Sequence, residues 1–275
     1  MTEKDKYRKL FDLGGRVAVV TGGTGLLGRH FCAALADCGA RVAIVDLDEK
    51  AAKTFAAELE AASGQKCLGV ACDITDPAAI KKMADAVERS LGPIDILHNN
   101  AQARRSKPER YFTPAESFDL ETWREIMSVN LDGAFLVVQE IGARMAKRGR
   151  GSIIQTSSIY GVVAPDQRIY EGSEYLGRPI NTPPVYSASK AGIVGLTKYF
   201  AGYWGHRGVR VNTLTPGGVS SGQNDVFDRK YAARVPMDRM AKADEIVGAL
   251  IFLASDASSY VTGQNIVVDG GLTAW

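Results

Sequence analysis

The pentapeptide Tyr186-Ser187-Ala188-Ser189-Lys190 sets a phenol and an ammonium four residues apart at the start of a helical pattern. That spacing puts both side chains on one helix face. A phenol with an unperturbed pKa of about 10 is a poor acid-base catalyst at neutral pH, and a fixed ammonium beside it favours the ionised form. The pair is a candidate proton-transfer device. Alone it is indistinguishable from an ordinary amphipathic pair, so its meaning depends on what the rest of the chain brings beside it.

A second stretch with chemical potential is Thr21-Gly22-Gly23-Thr24-Gly25-Leu26-Leu27-Gly28, whose glycines are spaced G-x-x-G-x-x-G. Glycine lets backbone approach a phosphate closely, and exposed N–H groups with the dipole of a following helix stabilise its charge. Gly22, Thr24, Gly25, Leu26, Leu27 and Gly28 are therefore the expected phosphate-side contacts. Asp46, followed by Leu47, closes the next apolar run 18 residues after Gly28. A carboxylate there accepts from both hydroxyls of an adenosine ribose and repels a 2′-phosphate. No arginine follows directly in Asp46-Leu47-Asp48-Glu49, so NAD is expected in preference to NADP.

These residues need a scaffold, and the pattern supplies one. Short apolar runs at 16–21, 41–46, 67–73, 94–100, 152–156, 209–214 and 265–269 read as strands, with helical patterns at 29–38, 49–62, 77–91, 120–147 and 186–206 between them. Apolar strands without period-2 alternation, joined by helices, imply a parallel sheet covered on both faces. The fold expected is α/β, doubly wound, with seven strands. Two stretches break the regularity. Residues 162–185 are rich in proline, glycine and carboxylates, too long and interrupted for a plain strand-to-helix link. Residues 217–237 read as a flap over a pocket.

Composition narrows the partners. Of the 275 residues, 45% are hydrophobic and 23% charged, and no run approaches the roughly 18 apolar residues that span a bilayer. No membrane partner is expected. A formal net charge of +2 gives no strong basic field, so nucleic acid is not expected either. The four cysteines and three histidines lack metal-ligand spacing, and buried or partly buried free thiols are expected. The charged N-terminus has no apolar segment of signal-peptide length behind it, which makes the cytoplasm the expected compartment.

Together the motifs resemble those of the short-chain dehydrogenase/reductase family in its single-domain form. The resemblance runs from about residue 14 to the C-terminus, after a leader at 1–13, and rests on motifs in the family's order: the turn at 21–28, Cys72-Asp73-Ile74, Asn99-Asn100-Ala101, Val129-Asn130, Ser157-Ser158, Tyr186 with Lys190, Pro216-Gly217, and Val261-Thr262-Gly263 before Asp269-Gly270-Gly271. It implies a Rossmann fold and NAD(H)-dependent interconversion of a secondary alcohol and a ketone. Tyr186 would be the acid-base catalyst, and Lys190 its pKa-lowering partner and a ribose ligand. Asn130 would anchor a proton-relay water, and Ser158 would polarise the substrate oxygen. Ser158 is preferred to Ser157 because the family's serine lies three residues before a glycine, here Gly161. Asp73 and Ile74 would flank the adenine. Asn99, Asn100 and Ala101 would border its ribose, and Pro216, Gly217 and Val219 the carboxamide. A homotetramer or homodimer pairing the helical regions 120–147 and 186–206 is also implied.

The departures from the family pattern concern the substrate. The glycine spacing is the one common in the two-domain branch, which makes a sugar-nucleotide epimerase or dehydratase the enzymatic alternative; a separate substrate domain is not expected, because only five residues follow Gly270. An idle NAD-binding sensor is the non-enzymatic alternative. Gln102 replaces the usual glycine after Asn-Asn-Ala, and Ser158 to Tyr186 spans 28 residues, about twice the family's usual interval. Gln102, Arg104 and Tyr160 are expected beside the substrate with Ser158 and Tyr186. Arg104, Arg105 and Lys107 would favour an anionic group if they point inward. The segments Ser157–Pro165 and 169–172 also resemble members acting on sugars in nonulosonate and surface-glycan pathways, so a small carbohydrate-type alcohol is the expected substrate.

Overall fold

The computed structural model describes residues 5–103 and 107–275. A seven-stranded sheet runs through its centre. Its strands are β1 (Val17–Thr21), β2 (Arg41–Asp46), β3 (Cys67–Ala71), β4 (Ile96–Asn99), β5 (Gly151–Thr156), β6 (Val209–Pro216) and β7 (Asn265–Val268). They lie in the order β3-β2-β1-β4-β5-β6-β7, and every neighbouring pair is parallel. The order reverses between β1 and β4. At such a switch point the loops leaving the two strands diverge and open a crevice at the carboxyl edge of the sheet.

The helices form because their sequences cap well and bury one face. They are α1 (Leu26–Asp37), α2 (Glu49–Ser63), α3 (Pro77–Leu91), α4 (Leu120–Met127), α5 (Ala134–Arg148), α6 (Pro184–Trp204), α7 (Asp225–Ala232) and α8 (Val247–Ala254). Asp48, Asp76 and Asp119 each accept a backbone N–H from the first turn of the helix that follows. Val17 and Val19 of β1 face one core, built with Ile80 and Met83 of α3 and Val137 and Ile141 of α5. Ala18 and Val20 face the other, built with Phe31 of α1, Phe55 of α2 and Leu250 of α8. Both sheet faces are thus covered, as continuous apolar strands demand.

Several expectations need correction. Helix α1 starts at Leu26, one turn earlier than residue 29, because Gly25 adopts an extended backbone (φ −69°, ψ 171°) and ends the turn there. The expected helix 120–147 is interrupted by a π-helical segment, Ser128–Gly133, where Asn130 sits. The run Leu120–Arg148 is long and apolar enough to cross a membrane by length and composition alone, with a mean hydropathy of 1.2 over its most apolar window, although it holds no unbroken apolar run of that length. Its apolar residues are interleaved with polar ones, and Val137, Val138, Ile141 and Met145 pack into the core. Helix α8 was not expected, since Val247–Ala254 is almost uniformly apolar and has no period to read. The flap 217–237 carries α7. The four cysteines are free thiols, Cys32 and Cys72 buried and the others partly so.

His98 of β4 is fully buried, packs against Phe31 with ring centroids 4.4 Å apart and planes tilted by 57°, and bonds Thr156 Oγ1 through Nε2 at 2.9 Å. Burial lowers its pKa to about 3. Between pH 3 and 6.5 the unfolded chain therefore binds a proton that the folded one does not, so stability falls as pH falls through that window. Urea unfolding of wild type and His98→Gln at pH values across it should differ in slope by about 1.4 kcal/mol per pH unit, the wild type being the steeper. Parallel slopes would contradict the assignment.

Candidate active site

A cleft of about 1110 Å³ opens along the carboxyl edge of the sheet. At one end lie the glycine turn and Asp46. Gly28 is required there, because a Cβ at that position would sit 2.1 Å from the Gly22 carbonyl oxygen. The turn is held by Thr21, whose hydroxyl donates to Asn99 Oδ1 at 3.1 Å and accepts the backbone N–H groups of Asn100 (2.9 Å) and Ala101 (3.0 Å). Asn100 returns its Nδ2 to the carbonyls of Thr21 (3.2 Å) and Gly22 (3.4 Å). These bonds tie β1 to β4 at the switch point.

Asp46 ends β2 facing Thr24, whose hydroxyl and backbone N–H (3.2 Å) both donate to its Oδ2, and Leu47 N donates to Oδ1 at 2.8 Å. Burial raises the pKa of this carboxyl, but the bonds from Thr24, Asp48 and Leu47 outweigh it, so the net shift is downward. Asp46 is an anion at neutral pH. Gly22, Thr24, Gly25, Leu26, Leu27, Gly28, Asp46, Leu47, Asp73, Ile74, Asn100 and Ala101 all line this part of the cleft. The glycine cradle, the amides of α1 and the carboxylate at the tip of β2 fit a dinucleotide. Asn99 is the exception: it is 5% exposed, accepts from Thr21, and donates to Ala134 O at 2.9 Å. Its side chain faces the core and positions β4 instead of bordering a ribose.

At the other end Ser158, Tyr186 and Lys190 line the cleft together. Lys190 is 4% exposed, and its Nζ donates to Thr156 O, the last residue of β5, at 3.1 Å. The ammonium lies 5.8 Å from the centroid of the Tyr186 ring. Burial lowers the Lys190 pKa to about 8. Ser157 donates its hydroxyl to Lys190 O at 2.7 Å. Ser158 Oγ accepts from Tyr160 N at 3.2 Å, which leaves its hydrogen to donate into the cleft. The two serines, both on the cleft wall, thus differ in what their hydroxyls bond. Gly161 matters because a Cβ there would come 2.6 Å from the Lys190 backbone, so only glycine lets this turn lie against α6.

Asn130 is absent from the cleft wall. It is 5% exposed; its Oδ1 accepts from Ala103 N at 2.7 Å, and its Nδ2 donates to Ser189 Oγ at 3.2 Å. Its side chain acts on the site through these two neighbours, one on the loop after β4 and one beside Tyr186. The π-helical segment turns it that way, a distortion often found at functional sites.

Pro216, Gly217 and Val219 line the cleft after β6, and Gln102 lines it beyond Ala101. Tyr160 is 9% exposed and also contributes to the wall; burial pushes its phenol above the usual range. Arg104 and Arg105 lie outside the described residues. Lys107, the remaining cation of that segment, points to solvent and pairs with Glu125 at 3.8 Å. The insertion reaches the cleft with Tyr170, Glu174, Tyr175 and Asn181, and the flap with Asn224, Phe227 and Tyr231. The two pack together: Tyr170 stacks on Phe227 at 5.4 Å, and Lys230 Nζ donates to the carbonyls of Arg168 (3.1 Å) and Glu171 (2.8 Å). Sequence reasoning missed Asn181, which no motif marks.

Comparison with known proteins agrees with this geometry. The family model described as enoyl-(acyl carrier protein) reductase matches residues 25–273. D-threitol dehydrogenase of Mycolicibacterium smegmatis is 39% identical over 99% of both chains. Galactitol 2-dehydrogenase (L-tagatose-forming) of Cereibacter sphaeroides is 35% identical over 98% of this chain and 99% of that one. The crystal structure of a gluconate 5-dehydrogenase from Burkholderia cenocepacia, in complex with NADP and tartrate, superposes with a TM-score of 0.85 at 33% identity, covering 97% of this chain and 98% of that one. The chain belongs to the short-chain dehydrogenase/reductase family. Its members use a nicotinamide cofactor and act on CH–OH groups.

Gly28→Ala should weaken binding of the nicotinamide dinucleotide by more than about tenfold, since the added carbon displaces the turn that meets the phosphates. Calorimetric titration checks this, with a melting curve to establish that the protein is folded. Folded protein with wild-type affinity would contradict the role of the turn.

Proposed function

We propose that this protein is an NAD(H)-dependent oxidoreductase that interconverts a secondary alcohol and a ketone on a polar, carbohydrate-like substrate. The observation carrying this reading is that Ser158, Tyr186 and Lys190 share one cleft with the glycine turn and Asp46. When bound, a nicotinamide supplies the hydride acceptor or donor. Tyr186 takes the hydroxyl proton as the alcohol is oxidised and returns it in the reverse direction. Ser158 donates to the oxygen on which charge develops. Lys190, with a pKa near 8, is mostly protonated at neutral pH, and its ammonium favours the phenolate of Tyr186.

Relatives named for threitol, galactitol and gluconate support a carbohydrate-type alcohol. They align along nearly the whole chain, which supports this reading over a sugar-nucleotide epimerase or dehydratase. The presence of Ser158, Tyr186 and Lys190 together weighs against an idle sensor. Asp46 supports NAD, because an anionic carboxylate at the tip of β2 opposes a 2′-phosphate; the Burkholderia cenocepacia relative carries NADP. Exposed Tyr199 and Tyr203, stacked at 5.8 Å on α6, support self-association through the long helices.

Tyr186→Phe should lower kcat by about 10³-fold, the scale of lost general acid-base catalysis, while leaving NAD affinity within about twofold. Retained turnover in the nicotinamide absorbance assay would remove Tyr186 from its role. Asp46→Ala should shift the ratio of NADP to NAD binding upward by about tenfold or more. Tighter binding of NADP than of NAD by the wild type would refute the role given to Asp46.

A further inference from the structure

Two polar atoms in the cleft wall remain without a purpose in the chemistry above. Asn181, in the insertion, donates its Nδ2 to the carbonyls of Phe112 (2.8 Å) and Thr113 (3.5 Å). Those bonds fix the amide, and its Oδ1 is left buried with no hydrogen-bond partner among the described residues. The Tyr160 hydroxyl, two residues beyond Ser158, is likewise buried without a hydrogen bond of ordinary length, although the phenol of Tyr170 lies beside it. Neighbouring hydroxyls are already engaged: Tyr170 OH with Thr182 Oγ1 at 2.5 Å, and Tyr231 OH with Gly218 N. Asn181, Thr182, Tyr170 and Tyr160 form a continuous arc, since Tyr170 packs beside Tyr160 in one apolar cluster and Thr182 adjoins Asn181. All of them line the cleft that holds Ser158 and Tyr186.

Leaving a polar atom buried and unpaired costs about 1–3 kcal/mol, so this arc is arranged for a group that arrives with its own hydrogen bonds. A carboxamide oxygen accepts only, so it selects a ligand that brings an O–H and disfavours a carboxylate or phosphate. A phenol donates or accepts, which suits a second hydroxyl. The charges agree. Glu174 also lines the cleft, and Lys190 is the one cation among the described lining residues.

We infer that Asn181 and Tyr160 form a hydroxyl-recognition subsite that selects an uncharged polyol, binding hydroxyls adjacent to the carbon that reacts at Tyr186. The inference rests on the alcohol/ketone reading above. Solvent does not reach either atom in this arrangement. The insertion therefore eases outward to admit the polyol and closes over it, with the exposed hairpin Glu174–Tyr175 and Arg178–Pro179 at its outer edge.

The test compares kcat/KM for threitol with that for 2,3-butanediol, which keeps the central carbinols and lacks the terminal hydroxyls, and for threonate, which replaces one terminus by a carboxylate. Wild type should prefer threitol to each by about tenfold or more. In Tyr160→Phe and in Asn181→Ala the threitol-to-butanediol ratio should each fall about tenfold, the effect expected for one hydrogen bond to a buried partner. Asn181→Ser, which restores a polar atom, should recover part of it. Equal losses on both substrates, or an unaltered ratio, would overturn the subsite, and a preference for threonate would overturn the uncharged class. Titration of threitol into the enzyme–NAD complex separates the two readings. Absence of turnover with every alcohol would defeat the oxidoreductase reading. Even then, tenfold weaker threitol binding by Tyr160→Phe would uphold the subsite, and no binding by wild type would overturn it.

Discussion

A primary ammonium buried to 4% exposure is costly unless it is hydrogen-bonded, and the bond this fold gives Lys190 governs the rest of the site. Its Nζ donates to the terminal carbonyl of β5, while its own carbonyl accepts from Ser157 on the turn that follows. The same turn lies so close to α6 that residue 161 has no room for a side chain. Strand end, turn and helix are therefore locked as one unit. Ser158 and Tyr186 are fixed relative to Lys190 as a consequence.

The cofactor end is organised by an equally economical device. One threonine hydroxyl, Thr21, serves three partners on β4 and its loop, so the glycine turn and the Asn99-Asn100-Ala101 segment move together. Behind it, His98 bonds Thr156, whose hydroxyl donates to Asn100 at 3.4 Å. Thr156 thus contributes its side chain to the glycine-turn network and its carbonyl to Lys190. The two ends of the cleft meet at a single residue of β5.

Much of this was legible in the sequence because it depends on local pattern. Strand β2 and helix α3 occur where periodicity and capping residues put them, with Asp76 and Pro77 opening α3. The glycine turn, Asp46, Ser158, Tyr186 and Lys190 all reach the cleft. What failed to show depends on tertiary direction. Asn99 sits in a motif that a linear reading assigns to a ribose contact, yet the one-residue alternation of a strand turns its amide into the protein; the π-helical segment that aims Asn130 at Ala103 and Ser189 likewise has no local signal. Asn181 has no local signal, since its exposure to the cleft arises only when the insertion folds back over Phe112 and against α7. Helix α8 lacked any polar face to give it a period.

The insertion and α7 pack together on the wall of the cleft that also holds Ser158 and Tyr186, and the setting of those two follows from Lys190. The central claim is that this ammonium tunes the phenol of Tyr186. The pH dependence of kcat/KM for alcohol oxidation, measured for wild type and Lys190→Met, tests it most directly. The ionisation limiting the acid limb should move upward by about one unit or more in the variant, toward that of an unassisted phenol. An acid limb at the same pH in both proteins would contradict the account.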